Sequence, residues 1–205
     1  METLDILKEN FITALKATNR SGVDEVISNL EALGFFTAPA SSKHHLAEPS
    51  GLLRHSLNVY RQMIAVYKAQ YELGNPVGDP SDPCSEIFNS ISIVSLLHDI
   101  CKADIYKPVI KNRKNADGKW ESYKGYDCDY SAFPMGHGEK SVAMLYRWGF
   151  DLHDDEALAI RWHMANWQMG GDHESQSNFS AAVQKTPLLP CLIAADQLAT
   201  WITEN

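Results

Sequence analysis

Cysteine is sparse and lacks pattern: Cys84, Cys101, Cys128 and Cys191 include no Cys-x-x-Cys pair. That excludes a zinc ribbon and a disulfide framework, and points to free thiols in a reducing compartment. Long apolar runs are missing too, the longest being interrupted by serine or proline, and the start, Met1-Glu2-Thr3-Leu4-Asp5, is acidic with no apolar signal core. Neither a signal peptide nor a membrane span is expected, so the cytoplasm is the expected location. Positive charge is in deficit, with 18 Lys and Arg against 26 Asp and Glu and a net charge of −8. Without a basic stripe interleaved with stacking aromatics, extended nucleic-acid binding is not expected. No repeat is visible. What is present is a 205-residue chain with 44% apolar residues, enough for one sizeable core and expected to form one domain.

The pattern is mostly helical. Leu4, Leu7, Phe11 and Leu15 share one helical face, and a second helix, opened by Ser21, carries Val23, Val26, Ile27 and Leu30 until Gly34 ends it. This N-terminal pair, residues 1–36, should pack over a core formed by residues 45–200. An irregular stretch leads to a long helix over Leu52–Tyr71, and a Pro, Gly and Asp-rich surface loop over Gly74–Pro83 precedes the next one. The polar sequence Gly170-Gly171-Asp172-His173-Glu174-Ser175 suits a mobile loop, and Trp148, Trp162 and Trp167 suit the core and a pocket wall.

Between Tyr106 and Tyr130 the helical period gives way to Val109, Ile110, Trp120, Tyr123 and Tyr126 around Asn115-Ala116-Asp117-Gly118. This predicts a β-hairpin, with Asp-Gly supplying the positive backbone angles of a tight turn, placed near a pocket mouth. From Lys102 to Lys124 seven basic residues face three acidic ones. Two readings stand: the insertion steers an anionic substrate, with Lys107 and Lys111 as contacts, or its lysines protect an exposed strand edge.

The most informative phrase is Ile91-Ser92-Ile93-Val94-Ser95-Leu96-Leu97-His98-Asp99-Ile100-Cys101-Lys102. Ile87, Ile91, Val94 and His98 fall on one helical face, and Asp99 and Lys102 share the next. A buried carboxylate needs either a salt bridge to Lys102 or a cation. Further donors recur in helical patterns: His55 in Gly51-Leu52-Leu53-Arg54-His55, His137 in Gly136-His137-Gly138-Glu139-Lys140, His163 in Arg161-Trp162-His163-Met164, and Asp196 in Ala195-Asp196-Gln197. A helix start for His137 and ordinary core packing for His163 are the plainer alternatives. His44, His45, His153 and His173 fall in loop-like or helix-start contexts and are not assigned as ligands.

That order, His, His-Asp, His, His, Asp, resembles the HD-domain superfamily of metal-dependent phosphohydrolases in its dinuclear version, over roughly residues 45–200. The resemblance implies an all-α HD-domain bundle, here with a small hairpin insertion near 106–130. It places His55, His98, Asp99 and Asp196 on one ion, and His137 and His163, with bridging Asp99, on the other. Cys101 stands where the family usually has glycine and is read as tolerated, whereas Lys102 matches the family phrase and would orient Asp99 and meet phosphate. His45 resembles a histidine that often precedes the Gly-Leu-Leu-x-His phrase, so it is a candidate substrate contact.

The implied chemistry is phosphoester hydrolysis by water held between two divalent ions, with Asp99 and Lys102 as catalytic residues. The donors suit iron or manganese first, then cobalt, nickel or magnesium. The expected substrate is a small phosphorylated anion of nucleotide type, left open among nucleoside mono- and triphosphates, dinucleoside polyphosphates, cyclic nucleotides and short oligonucleotide ends. A di-iron oxygenase, using a similar ligand set in the same superfamily, is the alternative, followed by a regulatory module without catalysis. Oligomeric state is not legible.

Overall fold

The computed structural model describes residues 3–165 and 172–204. They are mostly helical with one two-stranded antiparallel sheet. Trp167, Gly170 and Gly171 lie outside the described residues.

The first helix, α1 (Leu4–Ala17), is capped by Thr3 and buries Leu7, Phe11 and Leu15. The second, α2 (Val23–Leu33), buries Val23, Val26, Ile27 and Leu30 and ends at Gly34 in the left-handed conformation. Its N-cap is not the expected Ser21 but Gly22, at φ 86°. A Cβ there would lie 2.5 Å from the Gly149 carbonyl oxygen, so backbone contact, not hydroxyl capping, sets this helix start. Phe11, Phe35 and Phe36 pack with ring centroids 5.1–5.6 Å apart and fix the pair to the core.

The long helix α3 (Gly51–Glu72) packs against α9 (Leu188–Leu198) and against α4 (Glu86–Leu97). Every residue of α4 from Ser90 to Leu97 is buried. Its serines satisfy their hydroxyls internally: Ser92 donates to Phe88 O at 3.0 Å and Ser95 to Ile91 O at 2.6 Å. A helix buried on all sides over its last eight residues therefore runs through the core and ends at His98.

After one turn, α5 (Lys102–Ile105), the chain enters β1 (Tyr106–Lys114) and returns along β2 (Trp120–Cys128). The register runs from Tyr106 opposite Cys128 to Lys114 opposite Trp120. The connection departs from the expected tight turn. Residues 115–119 form the loop, Asn115 Oδ1 accepts from the N–H groups of Asp117 and Lys119 at 3.0 and 2.9 Å, and only Gly118 takes a positive φ, 75°. An Asn side chain supplies here what two left-handed residues would supply in a two-residue turn.

Then come α6 (His137–Arg147), α7 (Asp154–Trp162) and α8 (His173–Lys185). Asp172 caps α8 through Ser175 N–H at 2.8 Å, so Asp172–Ser175 open a helix where a mobile loop was expected. Trp162 is core and Trp148 packs on it. A π-helical turn, Ala199–Thr203, follows α9 and packs on α3. All four cysteines are free, and no described helix is long and apolar enough to cross a membrane.

Candidate metal centre

His98 and His163 stand at the same local position, the C-cap of α4 and of α7. The last carbonyls of a helix have no partner within it. His98 Nδ1 therefore donates to Ser95 O at 2.9 Å, and His163 Nδ1 to Ile160 O at 2.7 Å. Because a carbonyl only accepts, Nδ1 carries a proton in both, and in the neutral ring each Nε2 presents a lone pair. His55 lies inside α3, where the neighbouring carbonyls already serve the helix ladder. Its Nδ1 instead meets the Glu204 carboxylate at 3.1 and 3.2 Å, again leaving Nε2 free.

The free nitrogens converge. His55 Nε2 lies 3.3 Å from His98 Nε2, 3.3 Å from Asp196 Oδ1 and 3.6 Å from Asp99 Oδ2, while His98 Nε2 lies 3.4 Å from that same Asp99 oxygen. Two nitrogen lone pairs facing each other at this distance repel unless a proton or cation lies between them. Donors each bound to one cation at about 2.0–2.2 Å stand roughly 3–3.5 Å apart, so these separations fit a shared ion. His163 Nε2 faces Asp99 Oδ1 at 3.5 Å, and both atoms are buried without a hydrogen bond. Buried unsatisfied polar atoms are costly, and a cation would satisfy both.

The carboxylates favour positive charge at these nitrogens, whether a proton or a cation. Asp99 is held well below the usual carboxylate range despite its burial, chiefly by the Lys102 ammonium 2.5 Å from Oδ2 and then by the surrounding imidazoles. Against the same desolvation, bonds to Asp196, Asp99 and Glu204 raise the His55 imidazole well above its ordinary value. His163 is also raised, against burial, by Asp99. Burial lowers His98 and His137. Of the two options posed by the sequence, the salt bridge is present: Lys102 takes Asp99 Oδ2, which also faces His55 and His98, while Oδ1 faces His163.

His137 opens α6 beside this group. One donor atom each of Asp99, Cys101 and His137 lies within 4.8 Å of the others. Its Nδ1 is 3.7 Å from Cys101 Sγ and its Nε2 is 3.3 Å from Tyr130 Oη, a looser setting than that of the other three histidines. Burial pushes the Cys101 thiol up to about 12, which keeps it protonated and inert. Gly138 brings α6 close to α7, since a Cβ there would run into the carbonyl oxygens of Ile160 and Arg161. Lys140, fully buried, pairs with Asp104 at 2.5 Å and ties α6 to α5.

A cleft of about 460 Å³ opens onto the centre. His45, Lys102, His163 and Asp196 supply its polar wall, and Met164, Ile193 and Trp201 an apolar one. The hairpin contributes no residue to it. Lys107 is exposed and lies 3.9 Å from Asp104, whereas Lys111 bonds Tyr126 O at 2.6 Å and Asp127 at 2.7 Å within the hairpin. His45 Nδ1 is held 2.5 Å from Glu204. Glu204 and Tyr130 are the site residues that sequence reading missed.

Glu86, His153 and Glu156 form another His-carboxylate group, but Arg20 already occupies it. Its guanidinium grips both Glu156 oxygens at 2.9 Å in a buried ion pair and reaches the exposed Glu86 at 2.7 Å. Comparison with known proteins returns no matching family model, curated protein or solved structure. Functional assignment therefore rests on the chemistry of the site.

Proposed function

We propose that the chain is a metal-dependent phosphohydrolase of the HD-domain type, acting on a phosphoester or phosphoanhydride bond of a small nucleotide-like substrate. The observation that carries this reading is the convergence of the His55, His98 and His163 Nε2 atoms on Asp99 and Asp196, side chains of four helices meeting at one buried place. His55, His98, Asp99 and Asp196 would hold one ion; His137 and His163, with Asp99 between, would hold a second. A donor set of imidazoles and carboxylates suits iron or manganese first.

When bound, such ions lower the pKa of water and offset phosphate charge. The chain's own residues do the rest. Lys102, held by Asp99, keeps an ammonium on the cleft wall where a phosphoryl oxygen would lie. Asp99 stays ionised under that pairing, so it remains a ligand rather than a proton donor. The Nδ1 bonds of His55, His98 and His163 fix ring orientation before any ligand arrives. Trp201 and Ile193 give an apolar wall against which a base or other flat group can pack.

The test is metal content by mass spectrometry on anaerobically purified protein, beside an Asp99→Ala variant, with phosphate release from a nucleotide panel. About two ions per chain, lost together with hydrolysis in the variant, support the reading. Two irons, oxygen consumption and no phosphoester cleavage would replace it with an oxygenase. No metal after reconstitution would remove both.

A further inference from the structure

Glu204 lies outside the ligand set proposed above, although it groups with His45 and His55, and its side chain is 1% exposed and fully engaged. It accepts from His45 Nδ1 at 2.5 Å, from His55 Nδ1 at 3.1 and 3.2 Å, and from Asn58 Nδ2 at 3.1 Å. Burial alone would raise this carboxyl; the bonds from His45 and His55 bring it down to about 2. The partners lie 146–159 residues away in sequence, so the carboxylate joins the C-terminal turn to the start of the α3 region.

The reason lies in helix geometry. His98 and His163 end their helices and borrow free local carbonyls. His55 cannot, because its helix continues for 17 residues beyond it. A helix-interior imidazole needs a remote acceptor to fix its tautomer, and Glu204 is that acceptor. The same carboxylate seats the turn that carries Thr200 and Trp201, which wall the cleft.

We infer that Glu204 is a positioning residue that sets the metal-binding tautomer of His55 and docks the C-terminal cleft wall in one act, so that ion binding and wall formation are thermodynamically coupled. The inference rests on the metal-centre reading and deepens it. A carboxylate behind a ligating imidazole typically alters metal affinity by 10–100-fold.

The experiment is Mn2+ titration of the full-length protein, read by electron paramagnetic resonance, for wild type, Glu204→Gln, Glu204→Asp and Gln62→Ala. Gln62 donates to Thr203 at 3.2 Å and holds the same turn without touching an imidazole. Far-UV circular dichroism is recorded alongside. The expected result is a Kd about 10–100-fold weaker for Glu204→Gln, partial recovery in Glu204→Asp, and a Gln62→Ala value within about twofold of wild type. Mn2+ should also slow proteolysis of the C-terminal turn in wild type and not in Glu204→Gln. Equal weakening by Glu204→Gln and Gln62→Ala would make the role one of holding the turn and overturn the inference. So would an unchanged Kd in folded Glu204→Gln. Wild-type protein that takes up no Mn2+ would overturn the metal-centre reading itself, a different outcome from either.

Discussion

The buried centre and the basic hairpin use the same residue types in opposite ways. In the centre, charged and imidazole groups from residues 45 to 204 meet in a largely buried space, several facing partners remote in sequence. In the hairpin, Arg113 pairs with Glu121 directly across the strands at 2.7 Å, and Lys111 with Asp127 near by. The hairpin charges remain exposed or close to solvent, so water does much of the work of stabilising them. Exposed pairs contribute about 0–1 kcal/mol, whereas breaking a buried pair leaves an uncompensated charge and costs about 3–5 kcal/mol. Density of charge in the sequence therefore does not mark burial: the hairpin's lysines pair at the surface, while the His-Asp dipeptide sits in a buried cluster.

That contrast breaks most sharply at Asp99. Asp99→Ala removes the carboxylate shared by Lys102, His55, His98 and His163, and should abolish both metal uptake and phosphate release. Next is Arg20→Ala, which strands the buried Glu156 carboxylate and should cost about 3–5 kcal/mol in urea unfolding, without altering the ligand set. Stability loss below about 1 kcal/mol would show that buried charge here is cheap, against the contrast drawn.

Acid should separate the two regions as well. Glu204 sits at about 2 in the folded protein against an ordinary 4.5, so its stabilising contribution is complete above about pH 4.5 and is lost as pH falls toward 2. Proteolytic release of the C-terminal turn should rise over that window. The smallest effect is expected from Lys107→Ala and Lys111→Ala, each within about 0.5 kcal/mol in stability and about twofold in KM. A large, salt-sensitive rise in KM would bring the hairpin into substrate binding and sharpen the steering alternative.

The helices were legible because apolar spacing records burial directly: Leu7, Phe11 and Leu15 lie where their period puts them. His98, Asp99, Lys102 and the remaining donors were legible because the donor atoms are side chains of few types in a recurring order. Glu204 was not, since a hydrogen bond to His55 spans 149 residues and leaves no local pattern. Only the question of where a mid-helix imidazole sends its Nδ1 proton could have raised it. Gly22 displaced Ser21 as a helix start because a backbone approach from residue 149 outweighed a hydroxyl cap. Asn115 replaced a second left-handed residue for a similar reason, a side chain doing the work of the backbone.

Gly138 touches the Ile160 carbonyl, the group that accepts the His163 Nδ1 proton, and it follows His137 directly in the chain. Two imidazoles on different helices are thus geared through a single missing methyl. A side chain at 138 would push α6 outward and tilt the acceptor that orients His163, changing the spacing of both rings at once. Anyone transplanting this cluster into another scaffold must carry that missing methyl along with the histidines, because it is the calliper that sets their span.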